Sequence, residues 1–155
     1  MSAADRQAAQ RQRCLTVANE CTGHGGRKAA RALARIYDDA LAPAGLRGTQ
    51  FDLLVALSLA PEAPVAKVAD ELGLDRTTLT RNLGPLERDG LVESVPDDDR
   101  RVRRLRLTER GHDVLADALR RWERAQNKVV TALGKPRWRE LMDGLRAAAN
   151  LPDRL

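Results

Sequence analysis

At 155 residues, 43% hydrophobic but only 3% aromatic, the chain is long enough for one domain whose core must be built from Leu, Ala and Val. Its net charge of +5 permits a polyanionic partner, but an Arg- and Ala-rich coding bias would leave the same excess, so the placement of charge has to decide. With no apolar run near 18 residues, no secretory core at the N-terminus and only two cysteines, a membrane span and a disulfide framework are excluded, and a cytoplasmic protein is expected.

In chain order, residues 4–22 are polar and alanine-rich and suit a first helix. The glycines of "TGHGG" (22–26) predict a turn or break. A second helix is expected from about Arg27 to Leu41, carrying Ala29, Leu33, Ile36, Tyr37 and Ala40 on one stripe. Thr49 reads as the N-cap of "TQFDLLVALSLA", with Phe51, Leu54, Val55 and Ser58 on one face. A short helix, "VAKVADELGL", follows with Ala66, Ala69 and Leu72 apolar and Gly73 as its stop. Asp75 then caps a helix running to about Asp89. Two short helices joined by a tight glycine turn predict a helix-turn-helix.

That second helix contains Gly84-Pro85, a pair that argues against helix. Pro85 lacks the N–H that would bond the Arg81 carbonyl, but Gly84 has no Cβ to clash, so one helix with a slight kink after Arg81, or a loosened turn there, is expected. "LVESV" (91–95) and "VRRLRL" (102–107) predict a β-hairpin across "PDDDRR". Thr108 caps a long helix to about Leu133, with Leu115, Leu119, Trp122, Gln126, Val129 and Leu133 along one side. Pro136 fits the first turn of a last helix bearing Trp138, Leu141, Met142 and Leu145. The fold class is therefore mostly α with a small β-hairpin wing: one winged helix-turn-helix unit over 1–155, flanked by N- and C-terminal helices.

On a helical wheel Leu79, Leu83 and Leu86 share an arc that should face the core. Opposite lie Thr77, Arg81, Gly84 and Arg88, with Thr78 and Thr80 on the flanks. A Thr/Arg ridge suits the major groove, where arginine can bond a guanine edge twice and threonine offers a hydroxyl and a methyl. Thr77, Thr78 and Arg81 are expected nearest the bases, with Asp75 and Arg76 at the helix start near the DNA backbone. A solvated polar face would look the same; the hairpin shifts the balance. It concentrates Arg100, Arg101, Arg103, Arg104 and Arg106, and an arginine on a thin ribbon can enter the narrow minor groove. The aspartates beside them are expected to hold arginines in place.

"TTLTRNLGPLERDGLV" followed by "DRRVRRLRLTERG" resembles the MarR family of bacterial transcriptional regulators, over roughly Arg27 to Leu145. In that family the wing carries Asp-x-Arg, then five residues, then Leu-Thr; Asp99, Arg101, Leu107 and Thr108 match. The resemblance implies a homodimer joined through its first and last helices (4–42 and 108–151), with 49–107 binding double-stranded DNA at a pseudo-palindromic operator. It also implies repression relieved by a small phenolic or lipophilic ligand, or by an oxidant. The helix of Arg81 becomes the recognition helix and Arg101 part of the wing. A ligand pocket between the dimer helices and the winged unit would lie near Arg31, Tyr37, Phe51 and Trp122, each equally explained by packing.

Cys14 and Cys21 are seven apart and would share a face of one continuous helix, which allows a redox switch; ordinary reduced thiols are the simpler reading. Cys21-x-x-His24 falls short of a four-ligand metal site, so no metal and no cofactor are expected. No catalytic constellation stands out, and no enzyme activity is expected. The rival function is an architectural DNA-binding protein without an effector.

Overall fold

A computed structural model describes residues 2–96 and 102–152. Helix α1 (Ala3–Glu20) opens on a reciprocal cap: the Ser2 hydroxyl accepts from the Asp5 N–H at 3.1 Å, and the Asp5 carboxylate accepts from the Ser2 N–H at 2.9 Å. It ends at Cys21, whose backbone is extended, and α2 (Thr22–Leu41) starts at once. The break therefore falls one residue before "TGHGG", and Gly23, Gly25 and Gly26 lie inside α2, where Arg27 was expected to begin it. Glycine weakens a helix without blocking it, and the first turn still closes, the Gly25 N–H donating to the Cys21 carbonyl at 2.9 Å.

A 3-10 turn (Ala42–Ala44) containing Pro43 and the left-handed Gly45 (φ 74°) lead into α3 (Gly48–Leu59). Thr49 is not its cap. The helix starts one residue earlier, and its end is satisfied across the fold: Asp38 of α2 accepts the Gly48 N–H at 2.7 Å. Helix α3 is the central element, with Phe51, Leu53, Leu54, Ala56 and Leu57 buried, whereas Ser58, expected on the inner face, is exposed. A helix covered on several sides has no single apolar stripe, so spacing alone could not identify its inner face.

Helix α4 (Val65–Leu72) buries Val68 and Ala69, leaves Ala66 exposed, and stops at left-handed Gly73 (φ 61°). Helix α5 (Arg76–Arg88) is continuous, with Pro85 inside it, and Leu79, Leu83 and Leu86 are each no more than 1% exposed. The leucine on the far side of the proline is as deeply seated as those before it, and this packing offsets the lost backbone bond. Strands β1 (Val92–Val95) and β2 (Arg104–Leu107) pair antiparallel, Val92 opposite Leu107 and Val95 opposite Arg104; both are shorter than predicted. The wing also touches the start of α4, where the Val65 N–H donates to the Arg103 carbonyl at 2.9 Å.

Helix α6 (Glu109–Leu133) is capped as expected, the Thr108 hydroxyl accepting the Gly111 N–H at 3.0 Å. That hydroxyl also donates to the Gly90 carbonyl at 2.6 Å, and the Thr108 N–H to the Leu91 carbonyl at 3.1 Å. One threonine thus ends the wing, starts α6 and ties both to the end of α5. The inner line of α6 is Leu115, Ala118 and Ala125 with half-buried Trp122, while Leu119 and Leu133 of the predicted line are exposed. The alanines face inward because α2 and α3 pack closely there. Helix α7 (Lys135–Ala149) has Pro136 in its first turn and buries no residue. No helix among the described residues is long and apolar enough to cross a membrane.

Candidate nucleic-acid interface

Asp75 positions the start of α5. Its carboxylate accepts both the Thr78 N–H (2.9 Å) and the Thr78 hydroxyl (2.7 Å), and these bonds hold its pKa below the usual carboxylate value. Thr78 is therefore half-buried and committed to the cap. The other three outward residues of the first turns come together with one that was left on a flank: Arg76, Thr77, Thr80 and Arg81 line a shallow exposed depression. Thr80 was legible in principle, since it lies four residues after Arg76 and three after Thr77. Its hydroxyl donates to the Arg76 carbonyl at 2.8 Å.

Among the described residues, neither the Arg76 nor the Arg81 guanidinium makes an ion pair or hydrogen bond. The wing arginines differ. Arg103 pairs with Glu87 of α5 and reaches the Ser94 hydroxyl at 3.3 Å. Arg106 bonds Glu93 at 2.7 Å with Glu62 at 3.8 Å, which raises its pKa above the ordinary value, and Arg104 donates to the Glu62 carbonyl at 3.0 Å. Arg103 and Arg106 thus find glutamate partners on neighbouring elements, while the loop aspartates expected to hold arginines lie outside the described residues. Asp99, Arg100 and Arg101, the other wing candidates, lie outside the described residues.

Tyr37, Phe51 and Trp122 meet between α2, α3 and α6, while Arg31 is exposed on α2. The Phe51 and Trp122 rings stack with centroids 6.5 Å apart, and the Tyr37 hydroxyl donates to Gln126. Burial raises the Tyr37 phenol pKa above 10. Phe51 is buried, and Tyr37 and Trp122 are half-buried against the core. Cavities of about 530 and 390 Å³ occur elsewhere, one between α4, α5 and the wing, the other between α2 and α6. Cys14 and Cys21 are free and exposed, and the break at Cys21 means they do not share one continuous helix.

A family profile described as the MarR family matches residues 44–101, which hold the helix-turn-helix and most of the wing. The M. tuberculosis transcriptional regulator MosR is 37% identical over 86% of this chain and 98% of its own, with a TM-score of 0.74. The same regulator in complex with DNA superposes over 85% and 98% of the two chains, at 40% identity and a TM-score of 0.74. PcaV from Streptomyces coelicolor, in complex with its natural ligand, is 27% identical over 86% and 94%, with a TM-score of 0.78. A curated relative, the HTH-type transcriptional regulator BilQ of Clostridioides difficile (strain CD3), is 27% identical over 85 residues, 54% of this chain and 57% of that protein. The match thus spans little more than half the length of that curated relative. Helix order, paired wing and the near full-length likeness to MosR agree: the chain belongs to the MarR family of winged helix-turn-helix transcriptional regulators.

Proposed function

We propose that the protein is a homodimeric, sequence-specific DNA-binding repressor whose region 49–107 reads a pseudo-palindromic operator. The observation that carries this is the exposed row of Arg76, Thr77, Thr80 and Arg81 on the second helix of a helix-turn-helix, with neither guanidinium paired among the described residues. Arginines already satisfied within the fold would have to break bonds to meet DNA; these two would not. In this reading Asp75 and Thr78 set the helix start, Arg81 reads a base, and Arg76 meets a phosphate. Arg103 holds the wing against α5 through Glu87, and binding at the minor groove is assigned to Arg100 and Arg101, with Asp99 as a partner that holds an arginine.

The dimer is assigned to 4–42 and 108–151. No residue of α1 or α7 is fully buried within the chain, and the two helices expose Leu15, Val17, Leu141 and Leu145. Apolar surface in that amount calls for a partner, and a two-fold pair would set the reading helices about 34 Å apart. Sedimentation should give twice the 17.1 kDa chain mass.

Selection from random duplex DNA is expected to return a two-fold symmetric sequence, and binding to it should exceed binding to a shuffled duplex at every salt concentration. An architectural binder would return no consensus, and its affinity would fall with salt alike for all sequences. That outcome would overturn the sequence-specific reading.

Release is assigned to a small phenolic or lipophilic ligand that parts the Tyr37–Phe51–Trp122 joint, with Arg31 at its edge, or to an oxidant. PcaV was solved with a natural ligand, which supports the first route. Exposure of both thiols supports the second. Mild peroxide should then abolish operator binding by wild type and spare a Cys14→Ala/Cys21→Ala variant; equal sensitivity of the two removes the oxidant route.

A further inference from the structure

Asn82 is half-buried on α5, next to the reading residue Arg81 and three residues before the proline. Its side chain is used at both ends. The amide nitrogen donates to the Thr78 carbonyl at 2.9 Å, and the amide oxygen accepts the Thr49 hydroxyl at 2.9 Å. Thr49 is in turn held by its neighbour, since the Gly48 N–H is bound to Asp38 of α2 at 2.7 Å. A run of side-chain bonds therefore joins α2 to the start of α3, crosses to the middle of α5 through Asn82, and ends at Thr78, which Asp75 has already fixed.

The position of this brace matters because of Pro85. A proline there supplies no N–H for the Arg81 carbonyl, so the backbone of α5 is least determined at the residue that carries the free guanidinium. The Asn82 side chain supports the helix at that turn from outside it, using a partner on another element. The bond is exposed and adds little to stability in water; its consequence is geometric. We propose that Asn82, held by Thr49, is a positioning residue that sets where Arg81 meets a base and so determines discrimination between DNA sequences. This rests on the base-reading role of α5 proposed for the chain.

The test compares affinity for the duplex selected by wild type with affinity for a shuffled duplex of equal composition, by fluorescence anisotropy. Thr49→Val removes the donor while keeping the shape, and should lower the operator-to-shuffled ratio roughly fivefold to tenfold without weakening shuffled binding. Asn82→Ala should lower it similarly without lowering the melting temperature, since alanine is the better helix former. The double variant should be no worse than Asn82→Ala, and Thr49→Ser should behave as wild type. A wild-type ratio in Thr49→Val, additive losses, or equal weakening of both duplexes would overturn the brace. No discrimination by wild type itself would overturn the base-reading role along with it.

Discussion

Replacing Gly111 with alanine is expected to cost about 3 kcal/mol and to lower the melting temperature by roughly 10 °C. Glycine to alanine inside a helix ordinarily stabilises, by up to about 1 kcal/mol. The sign reverses here because of one contact. A Cβ on Gly111 would lie 2.0 Å from the Leu91 carbonyl oxygen and 3.0 Å from its carbon. Those are backbone atoms, and the same oxygen accepts the Thr108 N–H, so it cannot retreat without unlatching the wing from α6. Gly25 on α2, with nothing within 4 Å of its would-be Cβ, is the matched control, and Gly25→Ala should leave the melting temperature level or raised. Calorimetry on the two variants decides; an unchanged melting temperature in Gly111→Ala would show that α6 slides over Leu91 at no cost. The family-like spacing of Thr108 and the glycine three residues on thus has a physical reason: one residue closes the wing, and the other lets the helix start against it.

Arg81→Ala should lose about 1–3 kcal/mol of discrimination at a single base position, roughly a tenfold to hundredfold change in that preference. The guanidinium is exposed and pre-disposed to bind, having no competing partner among the described residues, and it stands one residue from the Asn82 brace. Titrating the selected operator and its single-base variants against the variant protein measures this directly. Equal weakening on every sequence would reassign Arg81 to the phosphates. Arg103 offers a useful contrast because its charge is engaged by Glu87, which makes it part of the joint between wing and helix.

Much of the reading unit was legible because its signals are local. Gly73 is left-handed where a helix had to stop, Asp75 bonds the N–H three residues on, Thr108 does the same, and Pro136 sits in a first turn. Each of these interactions closes within about one helical turn, so residue type and spacing were enough. The leucines of α5 belong with them: Leu79, Leu83 and Leu86 mark one face whichever neighbour covers it, and their burial is why "GP" is carried inside the helix and does not end it.

What remained hidden lies between residues distant in sequence. Asp38 caps α3 from ten positions away, Glu87 takes Arg103 from sixteen, and Thr49 holds Asn82 from thirty-three. On helix α6 the expected line ran through Leu119 and Leu133, and the approach of α2 and α3 buried Ala118 and Ala125 in their place. Amino-acid order alone therefore determined the helix-turn-helix, the Asp75 and Thr108 caps and the buried leucine face of α5, because those depend on contacts a few residues long. Which arginines are left free, which apolar stripe is covered and what supports the reading helix at its proline were decided by tertiary packing, where partners are chosen by proximity in space.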